Sequence, residues 1–590
     1  MSLDIARSIA FSGLSATSVQ ISVTSSNISN ADTTGYTAKT ANQSSSVTNG
    51  VGTGVTVTGI TSTVDKLLLK SLIAATSELG SADTTNTYLT SLGKLYGSTS
   101  STDSSSTGTS LANSIASLES ALSSLASSPG SASLQSNVVS ALDDVASQLR
   151  ETSSSIQKLR AGADQDIASA IDDVNTDLQQ IADLNAEIKQ TAAAGQSTAD
   201  LEDQRNTALQ DLASKMNVNY FTASNGDIQI YTKSGQALVD SSTHEIGYTA
   251  ASNVTASTTY TAGSSSSGFS AITVNGVDIT SQISGGDIGA LITLRDKTLP
   301  DAQSQLDQLA QQLASVMNSV SNSASAVPAP TSLTGTASVT SGTALSASGT
   351  VRLAVTDQGG NLVSYGDLEL SSYSTVGDLV TAINGISGLS ASIDADGHLS
   401  IAATGSGNGV AVNQMTSSVG SAGEGFSEYF GLNDLMTGTS AADIAVNSKI
   451  LSGVNEIQLA TLDSSSSLTV GSSVLSSGST SVVNAFYDAL TESRTFASTG
   501  GLAATTGSLA DYASAIVADV ASKASRASDT YTAKETAQST YANSLSSQSG
   551  VNLDEESAKL STLQNKYTAA SALIQAVNTM YSALLSAVQS

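Results

Sequence analysis

The sequence predicts an elongated, multidomain α+β protein in which helices from the two ends of the chain pair as an α-helical coiled coil. Three observations indicate this fold class. Apolar residues recur in steps of three and four at both termini, the same spacing dominates much of the interior, and two interior segments alternate in steps of two between turn residues. With 590 residues, the chain exceeds the ~250–300 residues at which a single core stops growing. A helical-bundle middle domain and inserted β-rich outer domains therefore complete the predicted architecture.

The N-terminal segment is predicted to be an amphipathic helix followed by an extended arm. One stripe of apolar and small residues contains Ile5, Ile9, Ser12, Ala16, Val19 and Val23, and a weaker stripe contains Leu3, Arg7, Ala10, Leu14, Thr17, Ile21 and Ile28. The turn-forming residues Asn27, Asn30, Asp32 and Gly35 end the helix. Residues 36–60 alternate Val and Thr between glycines, as an extended arm does.

The C-terminal segment carries an unbroken heptad pattern. Its members are Leu560, Leu563, Tyr567, Ala570, Ile574, Val577, Tyr581, Leu584 and Val588. This spacing predicts the seam of a coiled coil. The partner of the seam is the N-terminal helix, other copies of the chain, or both, and an ordinary intramolecular helix pair is the alternative.

In the interior of the chain, the spacing of apolar residues switches between three to four, as in helices, and two, as in strands. Leucine-rich stretches with a spacing near 3.5 predict nearly antiparallel helices, and Asn225-Gly226 between alternating segments predicts a β-hairpin. The predicted domains are a terminal coiled coil (1–60 with 535–590), a helical middle domain (61–215 with 300–327 and 481–534), a β-rich domain (216–299) and a β-rich outer insertion (328–480).

The composition limits the possible partners and chemistry. The formal net charge is −28 and no basic run occurs, which disfavours nucleic acid and anionic membranes as partners. The absence of Cys excludes disulfides and thiolate sites. Residues 1–30 lack the apolar core of a secretory signal, and no continuous run reaches the ~18 apolar residues of a membrane span. Two interpretations are therefore left open: a cytoplasmic protein, or a protein exported by a route that recognises an amphipathic N-terminus.

Constellations for catalysis are nearly absent. The only histidines are His244 and His398, and neither lies near a nucleophile motif. Asp394 and Asp396 with Gly397 resemble part of a calcium loop, but the remaining ligands and the closing Glu are missing. The sequence therefore predicts no catalytic residues, no cofactor and no metal.

The N-terminal turn carries a family resemblance. Residues 26–36, Ser-Asn-Ile-Ser-Asn-Ala-Asp-Thr-Thr-Gly-Tyr, resemble the N-terminal signature of bacterial flagellar axial proteins, with Ser29 in place of Ala and Thr34 in place of Pro. Rod, hook and junction proteins share this signature, so it indicates the superfamily alone.

The C-terminal end is more specific. Residues 550–556, Gly-Val-Asn-Leu-Asp-Glu-Glu, and the heptad that follows are similar to the C-terminus of hook-associated proteins of the first type, the hook–filament junction family. Phe430 through Asp434 and Leu291 through Pro300 also resemble this family. Hook protein usually has a different, acidic and Met-rich C-terminus, and flagellin lacks the Asn-to-Tyr signature. Another axial protein, hook or flagellin-like, stays an alternative, as does an acidic surface adhesin or carbohydrate-binding protein.

The resemblance implies an exported structural adaptor at the hook–filament junction of the flagellum. Its implied partners are copies of itself in a ring or helical layer, hook protein, the second junction protein and filament, and an export chaperone that binds the C-terminal helix, with no membrane insertion. The stripes and the signature together predict the residues of subunit assembly. They are Ile5, Ile9, Leu14, Ile21, Asn27, Ile28, Asn30, Gly35, Tyr36, Leu560, Leu563, Tyr567, Ile574, Val577, Tyr581, Leu584 and Val588.

Overall fold

Residues 3–48, 50–97, 110–264, 266–454, 456–476 and 478–589 are described by the computed structural model. Two compact units emerge from the contacts within the chain. Unit 1 comprises Met1–Tyr88, Ala161–Asp296 and Ser525–Ser590, and unit 2 comprises Leu89–Arg160 and Lys297–Ala524.

The helices and strands within the described residues confirm the predicted α+β class, with packed terminal helices, helical segments and β-rich segments. The helices are α1 (Leu3–Ser29), α2 (Lys66–Leu95), α3 (Leu111–Ser127), α4 (Ala132–Ala193), α5 (Ala199–Lys215), α6 (Gly286–Thr293), α7 (Leu299–Asn322), α8 (Val376–Asn384), α9 (Phe426–Phe430), α10 (Ser448–Leu451), α11 (Thr480–Thr491), α12 (Leu509–Ser549) and α13 (Leu553–Gln589). The strands are β1 (Lys39–Thr48), β2 (Val51–Ser62), β3 (Asn219–Thr222), β4 (Ile228–Tyr231), β5 (Ala237–Val239), β6 (Ile246–Gly247), β7 (Thr273–Val274), β8 (Val277–Asp278), β9 (Ser332–Ser338), β10 (Ala347–Ser348), β11 (Thr350–Thr356), β12 (Leu362–Glu369), β13 (Leu389–Ile393), β14 (His398–Ala403), β15 (Gly409–Asn413), β16 (Ser418–Val419), β17 (Met436–Thr437), β18 (Ala445–Val446), β19 (Arg494–Phe496) and β20 (Thr505–Gly507).

The core of unit 1 forms where the second half of α4 and the helix α5 pack against short antiparallel sheets. The apolar positions of α4 from Ile167 to Ile181 are buried together with Leu209 and Leu212 of α5 and with Ile230 of the sheet. The predicted hairpin at Asn225-Gly226 joins β3 to β4. Helix α4 runs without interruption for 62 residues, because Gly162, the only Gly or Pro in its interior, is tolerated in a helix.

A buried arginine network lies within unit 1. Arg295, on a π-helical turn at Leu294–Thr298, is fully buried and donates to the Asp164 carboxylate at 2.9 Å, to the Tyr248 hydroxyl at 2.5 Å and to both carboxylate oxygens of Asp296 at 2.8 Å. Burial lowers the pKa of Arg295, but the hydrogen bonds and charge of Asp296 outweigh it and raise the pKa above its ordinary value. Its guanidinium also lies 4.3 Å from the ring centroid of Phe269. The network therefore holds a permanent charge inside the core.

Unit 2 combines a helical part with a β-rich part. Helix α11 packs against α3 and α7, and the apolar stripe of α3 is fully buried. Two three-stranded antiparallel sheets, β12-β11-β15 and β13-β14-β9, share a core with α8 and α9.

The Phe430–Asp434 segment, which resembles a motif of the junction family, is hydrogen-bonded to the end of α7 in unit 2. The Asn322 amide donates to the Asp434 carboxylate at 2.7 Å and accepts from the backbone N–H of Asn433 at 3.0 Å. The Ser321 hydroxyl donates to the Asn433 carbonyl at 2.6 Å. In this structure the motif therefore joins a helix end to a turn.

Candidate assembly interface

The two terminal helices lie antiparallel in unit 1. At one end of the pair, the Tyr581 hydroxyl donates to the carboxylate of Asp4. At the other end, Asn27 Nδ2 donates to Glu556 Oε2 at 3.0 Å. Helix α1 packs along α13 between these two points.

The seam between the helices is narrow and built mostly from small side chains. On α13, Glu556, Leu563 and Val577 are buried, and their positions differ by multiples of seven. On α1 the buried residues are Ala10, Ala16, Thr17, Val23, Thr24 and Asn27. A heptad repeat on one helix therefore packs against small residues on the other, which allows the two backbones to approach closely.

The predicted stripe residues are not all brought into the seam. On α13, Leu563 and Val577 are buried, Leu560, Ile574 and Tyr581 are partly exposed, and Tyr567, Leu584 and Val588 are exposed. On α1, Ile5, Leu14, Ile21 and Ile28 are partly exposed and Ile9 is exposed. Most of the predicted apolar surface thus remains available after the two helices have paired.

A second exposed apolar row on α13 was missed in the sequence. Leu573, Met580 and Leu585 each expose about half of their surface, at 52%, 48% and 57%. Leu573 and Met580 are also seven residues apart, so a search for a second heptad offset would have found them. On α1, Phe11 is 67% exposed, which extends the apolar surface to the partner helix.

This apolar surface carries almost no charge. Residues 8–31, 40–64 and 567–590 contain no Asp, Glu, Lys, Arg or His, in a chain whose formal net charge is −28. Copies of these segments can therefore approach each other without the mutual repulsion that the rest of the protein would produce.

The extended arm is a β-hairpin that rests on α1. Strands β1 and β2 pair along their whole length, with register shifts after Asn42 and Ser46. The Ser12 hydroxyl of α1 accepts from the backbone N–H of Val55 at 3.2 Å. Gly54, at φ +143°, leaves the space that the Ser12 side chain occupies.

The signature between α1 and β1 is organised around Asn27, which is fully buried. Its Nδ2 donates to the Lys39 carbonyl at 2.9 Å as well as to Glu556, and its Oδ1 accepts from the Lys39 backbone N–H and the Tyr36 hydroxyl, both at 3.0 Å. Gly35 has φ +79°, and an added Cβ would lie 2.5 Å from the Thr207 hydroxyl. Asn30, in contrast, donates only to the carbonyl of Ser26 in its own helix at 3.0 Å and to no other element.

The segment after the signature is anchored to α5 and to the end of α12. The Lys39 ammonium is buried, pairs with the carboxylate of Asp203 and with Asp200 at 3.1 Å, and lies 3.5 Å from the centroid of the Tyr36 ring. The Thr37 backbone N–H and hydroxyl donate to Asp203 at 2.9 and 2.7 Å. The Ala38 N–H donates to the Ser549 carbonyl at 2.7 Å, so three elements of unit 1 meet at this turn.

One turn in unit 2 brings metal-ligating groups together. Asp394, Asp396 and His398 have ligand atoms within 4.8 Å of one another. The Asp394 carboxylate accepts from the backbone N–H groups of His398 and Asp396 at 2.8 and 3.0 Å, and these bonds lower its pKa. The geometry is that of a hairpin turn with a carboxylate cap, and we assign no ion to it. His244, the other histidine, contacts Asn275 and Asp240 in a loop.

By length and composition alone, the helical stretch 509–589 contains a window apolar enough to cross a membrane. Little of that window is buried in the structure, and a single such segment is weak evidence for a membrane span.

Four family profiles match the chain, and all four describe flagellar proteins. They are the flagellar hook-associated protein FlgK helical domain (residues 100–327), the flagella basal body rod protein (8–37), the flagellin hook IN motif (350–405) and the flagellar basal body rod FlgEFG protein C-terminal region (543–587). The two short terminal matches coincide with α1 and its signature and with most of α13.

Among solved structures, the flagellar hook junction protein FlgK from Burkholderia pseudomallei is similar to 80% of this chain over 98% of its own length, at 17% identity and a TM-score of 0.45. No curated protein matches the chain. Along the chain the matches run from the rod protein through the FlgK helical domain and the hook IN motif to the rod C-terminal region, and together they cover more than half of the residues. The chain is therefore similar to flagellar axial proteins at both ends, and over residues 100–327 to the helical domain of the flagellar hook-associated protein FlgK.

Proposed function

We propose that this protein couples hook to filament mechanically, through side-by-side contacts between its paired terminal helices and those of neighbouring subunits. The observation that carries the proposal is the uncharged apolar surface left on α13 and α1 after they have paired. Contiguous exposed apolar surface of this kind marks a site of protein association. In this arrangement residues 1–60 with 535–590 form the inner tube.

The energetics favour contacts with several neighbours. Leu573, Met580, Leu585 and Val588 are about half or more exposed, and covering the exposed part of each is worth ~1–2 kcal/mol. Association of two proteins costs roughly 4–15 kcal/mol in lost freedom. One contact of this size is therefore marginal, whereas a subunit held by neighbours on several sides is stable.

The same surface explains the partners that we propose. Copies of the chain form a ring or helical layer, with hook protein on one side and the second junction protein and filament on the other. Before assembly, an export chaperone covers the apolar C-terminal helix. The mechanism contains no catalytic step, and the family profiles do not favour the adhesin or carbohydrate-binding alternative.

Substitution of the exposed row tests the proposal. The double variant Leu573→Ser/Leu585→Ser removes apolar surface without touching the buried seam, and it is expected to abolish filament attachment and motility in cells that lack the wild-type protein. Val454→Ser, in unit 2, removes an apolar side chain that is 75% exposed and serves as the matched control.

The measurements are motility and the amount of each variant in purified hook–basal bodies and in the culture medium. A double variant that is exported but absent from the junction supports the proposal. Normal filaments on cells that carry the double variant contradict it.

A further inference from the structure

We propose that Asn275, in the turn between β7 and β8 of unit 1, is a site of spontaneous deamidation, and that the neighbouring His244 assists the reaction. The product is an aspartate or isoaspartate residue at position 275, and the amide nitrogen leaves as ammonia. Water is the only co-reactant. The modification is separate from the assembly function and does not depend on it.

The antiparallel pairing of β6 with β7 brings His244 to this turn. Ile246 pairs with Val274, so the residues before β6 lie beside the residues after β7. There the His244 Nδ1 lies 3.1 Å from the Asn275 Nδ2. On the other side of the ring, the His244 Nε2 lies 3.3 Å from a carboxylate oxygen of Asp240. A carboxylate in this position favours a proton on Nε2, so Nδ1 is the nitrogen that contacts the amide.

Deamidation begins when the backbone nitrogen after an asparagine attacks the side-chain amide carbon. At this turn a bond forms between the Gly276 nitrogen and the Asn275 Cγ, and the Cγ–Nδ2 bond breaks as ammonia leaves. The Gly276 nitrogen loses its proton to water, and the departing Nδ2 gains one from the protonated His244 ring, which regains it from solvent. Water then opens the succinimide ring at either carbonyl carbon. Glycine favours the attack because it has no side chain beside the nitrogen.

The backbone nitrogen of Gly276 is free to react. Asn275 and Gly276, at φ +50° and +78°, are the central residues of a turn of type I′, and both are exposed to water. Val274 pairs with Val277 across the turn, and in the part of the chain that the structure describes no group accepts from the Gly276 N–H. Strands β7 and β8 are each two residues long, so few bonds oppose the local opening that the attack requires.

Asn225-Gly226 lies in a similar hairpin turn but is restrained. The Gly226 N–H donates to the Ala223 carbonyl at 3.0 Å. The Asn225 side chain donates to the Asp227 carboxylate at 2.7 Å and accepts from the Asp227 backbone N–H at 3.2 Å. Both the attacking nitrogen and the amide must therefore give up hydrogen bonds before they can react.

The Asn-Gly pairs that begin at residues 384 and 408 are restrained as well. The Gly385 N–H donates to a carbonyl of α8 at 3.0 Å, and the Asn384 amide bonds both backbone groups of Ala391 at 2.9 Å. Gly409 is buried on β15, and its N–H faces β11, because the N–H of the next residue, Val410, points away from that strand. Asn275 is thus expected to react first among these four pairs.

Incubation of the purified full-length chain at neutral pH tests the proposal. Peptide mass spectrometry gives the fraction deamidated at each pair over time, and enzymatic methylation of isoaspartate detects that product. Asn275 is expected to deamidate at least about fivefold to tenfold faster than Asn225 or Asn384, the factor that one net hydrogen bond supplies.

The role of His244 is tested by His244→Gln, which keeps a polar side chain and removes the proton donor. This variant is expected to slow deamidation of Asn275 by about threefold to tenfold, less than the ~10²-fold that a fully positioned acid contributes in an enzyme. His398→Gln alters the other histidine and, as the matched control, is expected to leave the rate at Asn275 unchanged.

The rate at Asn225 shows whether unit 1 stays folded, since unfolding would speed deamidation there too, and it is expected to be the same in all three proteins. A wild-type chain in which Asn275 reacts no faster than Asn225 would overturn the proposal. A His244→Gln variant in which Asn275 reacts at the wild-type rate would overturn it as well.

Discussion

Replacement of Arg295 by Met should strongly destabilise unit 1. Met has a similar length and an apolar end, so the change removes the charge and the donors while it keeps most of the volume. The Asp164 carboxylate, 1% exposed, then stays buried with only the Ala251 N–H and the Tyr248 hydroxyl as partners. Breaking a buried ion pair from one side costs ~3–5 kcal/mol because the remaining charge is uncompensated.

The double variant Arg295→Met/Asp164→Asn separates charge from shape. Asn can still accept from the Ala251 N–H and donate to the Tyr248 oxygen, but it carries no charge. The double variant is therefore expected to lose less stability than Arg295→Met alone, by at least ~1 kcal/mol, as residues in one network are not additive. Lys70→Met, which alters an exposed side chain of α2 in unit 1, is the control and should change stability by less than ~0.5 kcal/mol.

The free energy of unfolding of unit 1 can be followed by urea titration combined with hydrogen exchange of the α5 amides. Each 1.4 kcal/mol of lost stability speeds amide exchange tenfold. The α5 amides of Arg295→Met are therefore expected to exchange ~100-fold to several thousand-fold faster than those of the wild type. An Arg295→Met variant within 1 kcal/mol of the wild type would refute the reasoning, as would a double variant whose loss equals the sum of its parts.

Further predictions concern the interface and the turns. Val577→Ala should loosen the helix pair by ~1–3 kcal/mol in the free subunit, whereas Leu585→Ala should leave the free subunit unchanged and reduce only its incorporation into the junction, measured by exchange and by basal-body content. Gly35→Ala should lower the thermal midpoint because its φ of +79° and the nearby Thr207 hydroxyl disfavour a Cβ, and Gly130→Ala, in open space, should not. Self-association measured by light scattering should not weaken between 0.15 and 1 M NaCl and should strengthen in sulfate, since the surface is uncharged. Burial raises the pKa of Asp434, so the folded state of unit 2 favours the protonated carboxyl. The stability that this group contributes is therefore lost as pH rises from the ordinary carboxyl range through the raised pKa. In Asp434→Asn the urea midpoint should depend less on pH over that range.

The C-terminal heptad shows how far sequence periodicity reaches. It predicted a helix and a seam, and α13 contains both. The same pattern could not show that the seam would include Leu563 and Val577 but exclude Leu584 and Val588. Tyr581 of α13 lies beside Asp4, close to the start of α1 at Leu3, so Leu584 and Val588 lie beyond the described end of the partner helix. Among the described residues, no part of α1 covers this end of the stripe.

The polar contacts of the signature could not be predicted from the sequence. Asn27 and Glu556 are 529 positions apart, and Lys39 and Asp203 are 164 apart. Hydrophobic period and turn chemistry describe neighbours along the chain, and neither encodes which distant polar group will face another. The turn itself was predictable, because Asn27, Gly35 and Tyr36 are recognisable residue by residue.

The antiparallel order of α1 and α13 has a consequence for the load-bearing role that we propose. The two helix ends near Asp4 and Tyr581 lie together, and the two ends near Asn27 and Glu556 lie together and join the rest of unit 1. Tension applied between these two ends stretches both helices in parallel, so neither helix must slide along the other to bear it. The covalent backbones and their internal hydrogen bonds then carry the force, and a thin seam of alanine, threonine and valine is sufficient.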